Sequence, residues 1–237
     1  MAIYAIGDLH LSLGTDKPMD VFGGRWDNYV AKIKEGFSVV GQTDTCVICG
    51  DVTWGMSLES SLEDFKFIDS LPGKKIILKG NHDYWWSTSS KIKAFFNRNG
   101  INTIDILNNN SFVVDDAAIC GTRGWFYEEG SDLAGEAHDS HDRKIMAREV
   151  MRLEVSLKAA ESHEITEKIC FLHYPPVFNN YVCRDIIDIM KKYGVVNCWY
   201  GHIHGQGHKY AVTGDFEGIF YHMVSADFVN FKPVRVK

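Results

Sequence analysis

The chain has 237 residues, 45% of them hydrophobic and 24% charged, which fits one large α/β domain over residues 1–237 better than two small ones. No apolar run approaches a membrane span, and the opening reads as a buried strand with Asp8 where a secretion signal would stay apolar, so a cytoplasmic protein is expected. The formal net charge is −6 and Lys and Arg form no block or stripe, which argues against an extended nucleic-acid surface; a small anion can still bind where metal ions supply local positive charge.

In chain order, the first strand-like run is 2–6, followed by Gly7-Asp8-Leu9-His10. Residues 12–24, rich in Gly and Asp and containing Pro18, read as a loop. Trp26, Tyr29, Val30, Ile33, Phe37 and Val40 then recur at helical spacing. The run 45–49 leads into Gly50-Asp51. Leu58, Leu62, Phe65 and Ile68 mark a second helix, stopped by Leu71-Pro72-Gly73. The run 75–78 leads into Gly80-Asn81-His82-Asp83, and a shorter helix is expected over 87–97. This βαβαβα order implies a mostly parallel sheet with helices outside it.

The pattern then changes. Asn108-Asn109-Asn110 and Asp115-Asp116 are turns, and 112–114 with 117–120 read as hairpin strands. Residues 121–135 form a loop carrying Trp125, Phe126 and Tyr127. Met146, Val150, Leu153, Leu157 and Ala160 define an amphipathic helix over about 142–162. Within His138-Asp139-Ser140-His141-Asp142, Ser140 or Asp139 is the expected N-cap of that helix rather than part of a metal site. The segment 121–162 interrupts the strand pattern and is a candidate cap over the site. A strand ending at His173, a helix over about 182–193, and a strand ending at Gly201-His202-Ile203-His204 follow. Residues 209–213 and 218–224 read as a hairpin closing a second sheet.

Six Cys do not suggest disulfides. Cys46, Cys49, Cys120, Cys170 and Cys198 lie inside apolar β-type runs, where free Cys is a common small buried residue. Cys46 and Cys49 stand three apart on one strand, so they point to opposite faces and cannot share a metal.

Five strand-like runs thus end in Asp8 and His10, in Asp51, in Asn81 and His82, in His173, and in His202 and His204. Ligands of open α/β sheets bind outside the carboxyl ends of the strands. Strand ends that deliver Asp, Asn and His, with no Lys or Arg, describe a metal site. Oxygen and imidazole donors without thiolate suit Mn, Fe, Zn, Co or Ni and do not suit a closed Cys-type zinc site.

The ordered set Asp8-x-His10, Gly50-Asp51, Gly80-Asn81-His82-Asp83, His173 and Gly201-His202-x-His204 resembles the calcineurin-like metallophosphoesterase superfamily, over nearly the whole chain. The resemblance implies an α/β fold of two packed mixed β-sheets flanked by helices in four layers. It also implies two metal ions, with Mn, Fe or Zn expected. Asp51 would bridge them; Asp8, His10 and His204 would complete one, and Asn81, His173 and His202 the other. His82 would stay unligated beside the substrate as the catalytic imidazole. The implied reaction is hydrolysis of a small phosphomonoester or phosphodiester by a metal-bridging hydroxide, without a covalent enzyme intermediate. A nuclease of the same chemistry is the alternative, and an inactive interaction scaffold a third reading, against which the complete ligand set argues.

One position departs from the family pattern. Many members carry a carboxylate or amide three residues beyond the bridging Asp, where it orients the catalytic His. Here Trp54 stands there, so either another group, Asp83 being the candidate, orients His82, or the site serves leaving groups that need little proton donation. Arg123, between Gly121-Thr122 and Gly124, is a candidate phosphate clamp, with a surface salt bridge as the alternative. Tyr84-Trp85-Trp86 reads as core packing ahead of an aromatic wall for substrate.

Overall fold

The computed structural model describes residues 1–125, 136–163, 165 and 167–237. Strands β1 (Ile3–Ile6), β2 (Thr45–Ile48), β3 (Lys74–Ile77) and β4 (Ile104–Ile106) run parallel in that order, joined by α1 (Tyr29–Gly36), α2 (Leu62–Ser70) and α3 (Ser89–Arg98). The second sheet uses β5 (Phe112–Val114), β6 (Ala117–Thr122) and β7 (Glu167–Leu172), with α4 (Glu136–Glu161) between the last two. A small hairpin, β8 (Val177–Phe178) and β9 (Tyr181–Val182), precedes α5 (Arg184–Lys192) and β10 (Asn197–Tyr200). β11 (Gly214–Phe216) and β12 (Ile219–Met223) complete the sheet in the order β11-β12-β10-β7-β6-β5. β13 (Val234–Arg235) returns to pair antiparallel with β1.

Strand alternation sorts the side chains into three cores. Ile6, Cys46, Ile48 and Ile77 face the first helices, against Phe37, Phe65, Ile92 and Phe96. Ala5, Val47, Cys49 and Ile76 face Ile119, Ile169 and Phe171 of the second sheet. Cys120, Cys170, Leu172 and Cys198 pack under Leu153, Leu157, Ile187 and Met190 of α4 and α5. The molecule is therefore a helix–sheet–sheet–helix sandwich, the fold that the resemblance implies. All six Cys are free and buried, and Cys46 and Cys49 do lie on opposite faces. Phe65, fully buried edge-on to Trp85 and Phe96, anchors the first helix layer; truncating it to Ala would cost about 3–5 kcal/mol.

Two expectations need correction. α4 begins at Glu136, so Asp139 and Ser140 lie inside the helix and do not cap it. The last hairpin is β11–β12 rather than 209–213 with 218–224: Glu217 and Gly218 both take positive φ, the conformation of a tight two-residue loop, while Gly205–Tyr210 coils into 3-10 turns. The Asn108–Asn110 turn carries the chain from the first sheet into the second. β13 escaped notice because a two-residue strand carries no period. Of the proposed cap, α4 contributes Leu153, Leu157 and Ala160 to the outer core, and residues 126–135, with Phe126 and Tyr127, lie outside the described residues. No helix among the described residues is long and apolar enough to cross a membrane.

Candidate metal centre

The carboxyl ends of β1, β2 and β3 in one sheet, and of β7 and β10 in the other, converge on one point. Each strand there breaks into a tight turn that throws its next side chain across the rim. Asp8, His10, Asp51 and His202 all hold positive φ (57°, 45°, 49° and 73°), a region that non-glycine residues rarely occupy. Such residues cost of order 1–3 kcal/mol each and cluster at functional sites. Backbone bonds hold them: Asp8 N–H donates to Gly50 O, and His10 N–H to Asp51 O, each at 2.9 Å. Glycine is obligatory beside them. A Cβ on Gly80 would sit 2.1 Å from Asp51 Oδ1, and one on Gly201 would sit 2.5 Å from Asp8 Oδ2.

Two groups of donors result: Asp8 with His10 and His204, and Asp51 with His173 and His202, the atoms of each group within 4.8 Å of one another. Asn81 joins the second group, its Oδ1 2.6 Å from His173 Nε2. His10 Nε2 and His204 Nε2 face each other at 3.3 Å, and His204 Nε2 lies 3.7 Å from Asp8 Oδ1. Asp51 Oδ2 stands between the groups, 3.7 Å from His10 Nε2 and 3.6 Å from His173 Nε2. All seven residues expected as ligands are brought together.

Two of the ring nitrogens turned away from this centre are held from behind, whereas His10 Nδ1 is buried without a hydrogen-bond partner. His204 Nδ1 is 2.8 Å from Asp227 Oδ1, and His173 Nδ1 is 2.9 Å from the Cys49 carbonyl oxygen. Partners of this kind fix ring orientation and raise donor strength. Asp227 was not anticipated, although it follows β12 by a few residues, the same strand-end signal that marks the other ligands. His208, without signal in the sequence, brings Nε2 to 3.2 Å from Asp227 Oδ2, an ion-pair distance without hydrogen-bond alignment.

Burial keeps His173 down to about 3, His202 down to about 2, and His10 well below its usual range, so three imidazoles present uncharged nitrogens. Burial likewise pushes the Asp8 and Asp51 carboxyls upward. His204 goes the other way: burial opposes its charge, but the Asp227 hydrogen bond and the Asp8 carboxylate bring it up to about 9. Three uncharged imidazoles converging on carboxylates with too little compensation suit cations: this donor set fits two metal ions.

His82 donates its backbone N–H to Asp51 Oδ1 at 2.8 Å. Its Nδ1 is buried without a hydrogen-bond partner. Asp83 does not orient it. The Asp83 carboxylate instead accepts the N–H groups of Asp51 (2.9 Å), Val52 (2.9 Å) and Gly80 (2.7 Å) and the Trp85 indole (3.0 Å), tying the turns after β2 and β3 together. Packing holds His82: the Trp54 ring lies 4.5 Å from it, and the same Trp54 stacks on His10 at 4.8 Å. Trp85 and Trp86 belong to the core, as expected, whereas Tyr84 is exposed.

Two surfaces flank the centre. On the His10 and His204 side, Met19, Phe22, Trp26 and Trp54 line a groove of about 550 Å³. On the His173 side, the Arg123 carbonyl oxygen accepts the N–H groups of His173 (3.1 Å) and Tyr174 (2.9 Å). The Arg123 side chain pairs at 3.5 Å with Glu149, a buried carboxylate rather than a surface one. The strand ends also hold a cation that the sequence reading passed over, Lys79, immediately before Gly80.

This sandwich, with a bimetallic donor set at the meeting rim of its two sheets, defines a class of metal-dependent hydrolases. The sequence matches the family model described as calcineurin-like phosphoesterase over residues 1–206, and the chain belongs to that family. It is a metal-dependent phosphoesterase, and its family implies a dimetal centre. No curated protein matches the chain. Among solved structures, a phosphopantetheinyl hydrolase from Mycobacterium tuberculosis is similar, with 14% identity, a TM-score of 0.58, and coverage of 99% of this chain and 95% of that one. A second, TT1561 of Thermus thermophilus, is 11% identical with a TM-score of 0.52, covering 85% of this chain and 81% of that one. These likenesses concern the fold.

Proposed function

We propose that the protein hydrolyses a small phosphomonoester or phosphodiester at two metal ions, with Asp51 shared between them. Asp8, His10 and His204 would hold one ion, and Asn81, His173 and His202 the other. The observation that carries this reading is Asp51 Oδ2, 3.7 Å from an imidazole of one group and 3.6 Å from an imidazole of the other. A pair of divalent ions held there supplies Lewis-acid polarisation of the phosphoryl group and an acidified water.

The chain's own residues do the rest. Asp227 and the Cys49 carbonyl fix the His204 and His173 rings, so that Nε2 of each faces the centre. With Nδ1 of His82 sealed among protein atoms, Nε2 is the nitrogen that can protonate the departing oxygen. Trp54 holds that ring by packing and supplies no acceptor to align it, which favours esters with good leaving groups. The groove of Met19, Phe22, Trp26 and Trp54 suits the substrate's apolar organic portion, and Phe22, 71% exposed, stands ready to be covered. That a phosphopantetheinyl hydrolase shares the fold supports a phosphate ester with an organic arm as the substrate class.

The test compares p-nitrophenyl phosphate with bis(p-nitrophenyl) phosphate on protein reconstituted with Mn, Fe or Zn. Metal-dependent turnover of at least one ester is expected. Protein that binds two equivalents of metal and cleaves neither would overturn the reading.

A further inference from the structure

Next to the metal centre, past the ends of β3 and β6, lies a cavity of about 270 Å³ that none of the roles above uses. Lys79, Arg123 and Arg152 line it together with Glu149, Asn108 and Thr88. Water occupies about 30 Å³ per molecule, so a phosphoryl group with several waters fits without moving protein atoms.

The charges in this cavity do not balance. Glu149, 1% exposed, accepts the Thr122 hydroxyl at 2.6 Å and Arg152 Nη1 at 2.6 Å, and lies 3.5 Å from Arg123 Nη2. One carboxylate is thereby shared between two guanidiniums and a hydroxyl. Arg123 Nε is buried with no hydrogen-bond partner. The Lys79 ammonium has neither hydrogen bond nor ion pair among the described residues. Three lining cations face one lining anion, and Asp83, the other carboxylate that attracts Lys79, is engaged by backbone N–H groups and the Trp85 indole. This leaves an excess of positive charge in a half-closed space, where like charges repel more strongly than in water. A dianion cancels that excess. Two planar guanidinium forks and one ammonium are also the donors that phosphate oxygens favour.

The cavity is tied to the metal centre through the backbone. Lys79 stands two residues before Asn81, and the Arg123 carbonyl holds the N–H of His173. We infer that the Lys79–Arg123–Arg152 cavity binds a second phosphoryl group of the substrate, so that the preferred substrates carry two phosphates, one cleaved at the metal centre and one held here. This rests on the hydrolase reading above. It extends that reading from phosphate esters in general to bisphosphates.

Two measurements separate the inference from its foundation. The first titrates inorganic phosphate into metal-stripped protein, by calorimetry and by the fluorescence of Trp86, which also lines the cavity. Binding is expected, and Lys79→Met and Arg152→Gln should each weaken it about 10–100-fold, the ordinary weight of one charge-assisted hydrogen bond. Absence of binding, or binding that both variants leave unchanged, would overturn the inference. The second measures kcat/KM on metal-loaded protein for a series of α,ω-alkanediol bisphosphates against the matching alkyl monophosphates. At least one chain length should be preferred as the bisphosphate by tenfold or more. Lys79→Met should erase most of that preference through KM, with circular dichroism confirming the fold. Equal losses on both substrate types would show a merely structural role and refute the second-phosphate site. If the parent turns over neither type, nor the nitrophenyl esters, with any metal, the hydrolase reading fails, while the phosphate titration still decides whether the cavity is an anion site; if it cleaves nitrophenyl esters but no bisphosphate, the second-phosphate inference alone fails.

Discussion

Lys75, near the amino end of β3, and Asp51, at the carboxyl end of β2, are both buried charges in the same sheet, and the sheet treats them differently. The Lys75 ammonium donates to the carbonyl oxygens of Leu71 at 2.6 Å and Gly73 at 2.8 Å, closing the turn between α2 and β3. Asp51 Oδ1 accepts the His82 N–H, while its Oδ2 stands 3.6–3.7 Å from imidazole nitrogens of both donor groups. Asp83, eight residues after Lys75, resembles Lys75 rather than its neighbour Asp51: every acceptor it offers is used within the chain. Residue type does not distinguish the structural charges from the functional ones; the accounting of hydrogen bonds does. Charges completed by the chain hold the fold, and charges left incomplete await something from outside it.

Asp51→Asn breaks the functional side of this contrast most severely. The carboxylate that stands between the two donor groups loses its charge, so both ions should be lost and turnover abolished, which elemental analysis and ester hydrolysis would show. The metal-free variant should melt no lower than the metal-free parent, because an incompletely solvated charge has been removed. Two full metal equivalents in Asp51→Asn would sink the bridging assignment. His82→Ala comes next. It should retain both ions and lose about 10²–10⁴-fold on alkyl phosphate esters, the usual contribution of a positioned general acid. Loss on nitrophenyl esters should be much smaller, since a nitrophenolate departs without a proton. A variant depleted of metal would show that His82 is a ligand instead.

The sequence carried the donor set because each ligand follows a strand by one to four residues, close enough for the strand period to place it at the rim. The same rule reaches Asp227, after β12, yet no neighbouring glycine or histidine marked it. What joins Lys79 to Glu149 and Arg152 was not legible at all. They meet only when α4 folds against β6, and residues 70 or more positions apart share a cavity for tertiary reasons that no local pattern encodes. The division into two sheets was legible in outline, from the change of rhythm after residue 106. The assignment of β4 to one sheet and β5 to the other was not, because three-residue strands carry no register.

A subtler substitution sharpens the contrast between the two donor groups. His204 is backed by the Asp227 carboxylate, and His173 by a backbone carbonyl that mutation cannot remove. Asp227→Asn should therefore weaken one ion about 10–100-fold, the typical effect of losing such a partner, and leave the other bound. Stepwise chelation followed by metal analysis reads this directly. Simultaneous loss of both ions at one chelator concentration would show that the groups do not bind independently.

The smallest effect belongs to Lys75, at the structural end. Burial depresses its pKa from 10.5 to about 8, with the Asp69 carboxylate opposing the shift. Below pH 8 the ammonium is charged in both folded and unfolded chains, and the folded state bears the full cost of burying it. Between pH 8 and 10.5 the unfolded chain holds more protons than the folded one, so stability rises with pH through that window. At about 1.36 kcal/mol per unit, the gain is at most about 3 kcal/mol. Lys75→Met keeps the volume and removes the titration. Urea unfolding of parent and variant at pH 7.5 and pH 10 should thus show the difference between them moving in the parent's favour as pH rises, while kcat/KM for ester hydrolysis at pH 7.5 stays the same. A pH-independent difference would mean that the carbonyl cage solvates the ammonium as well as water does, and that Lys75 is a completed charge in energy as well as in geometry.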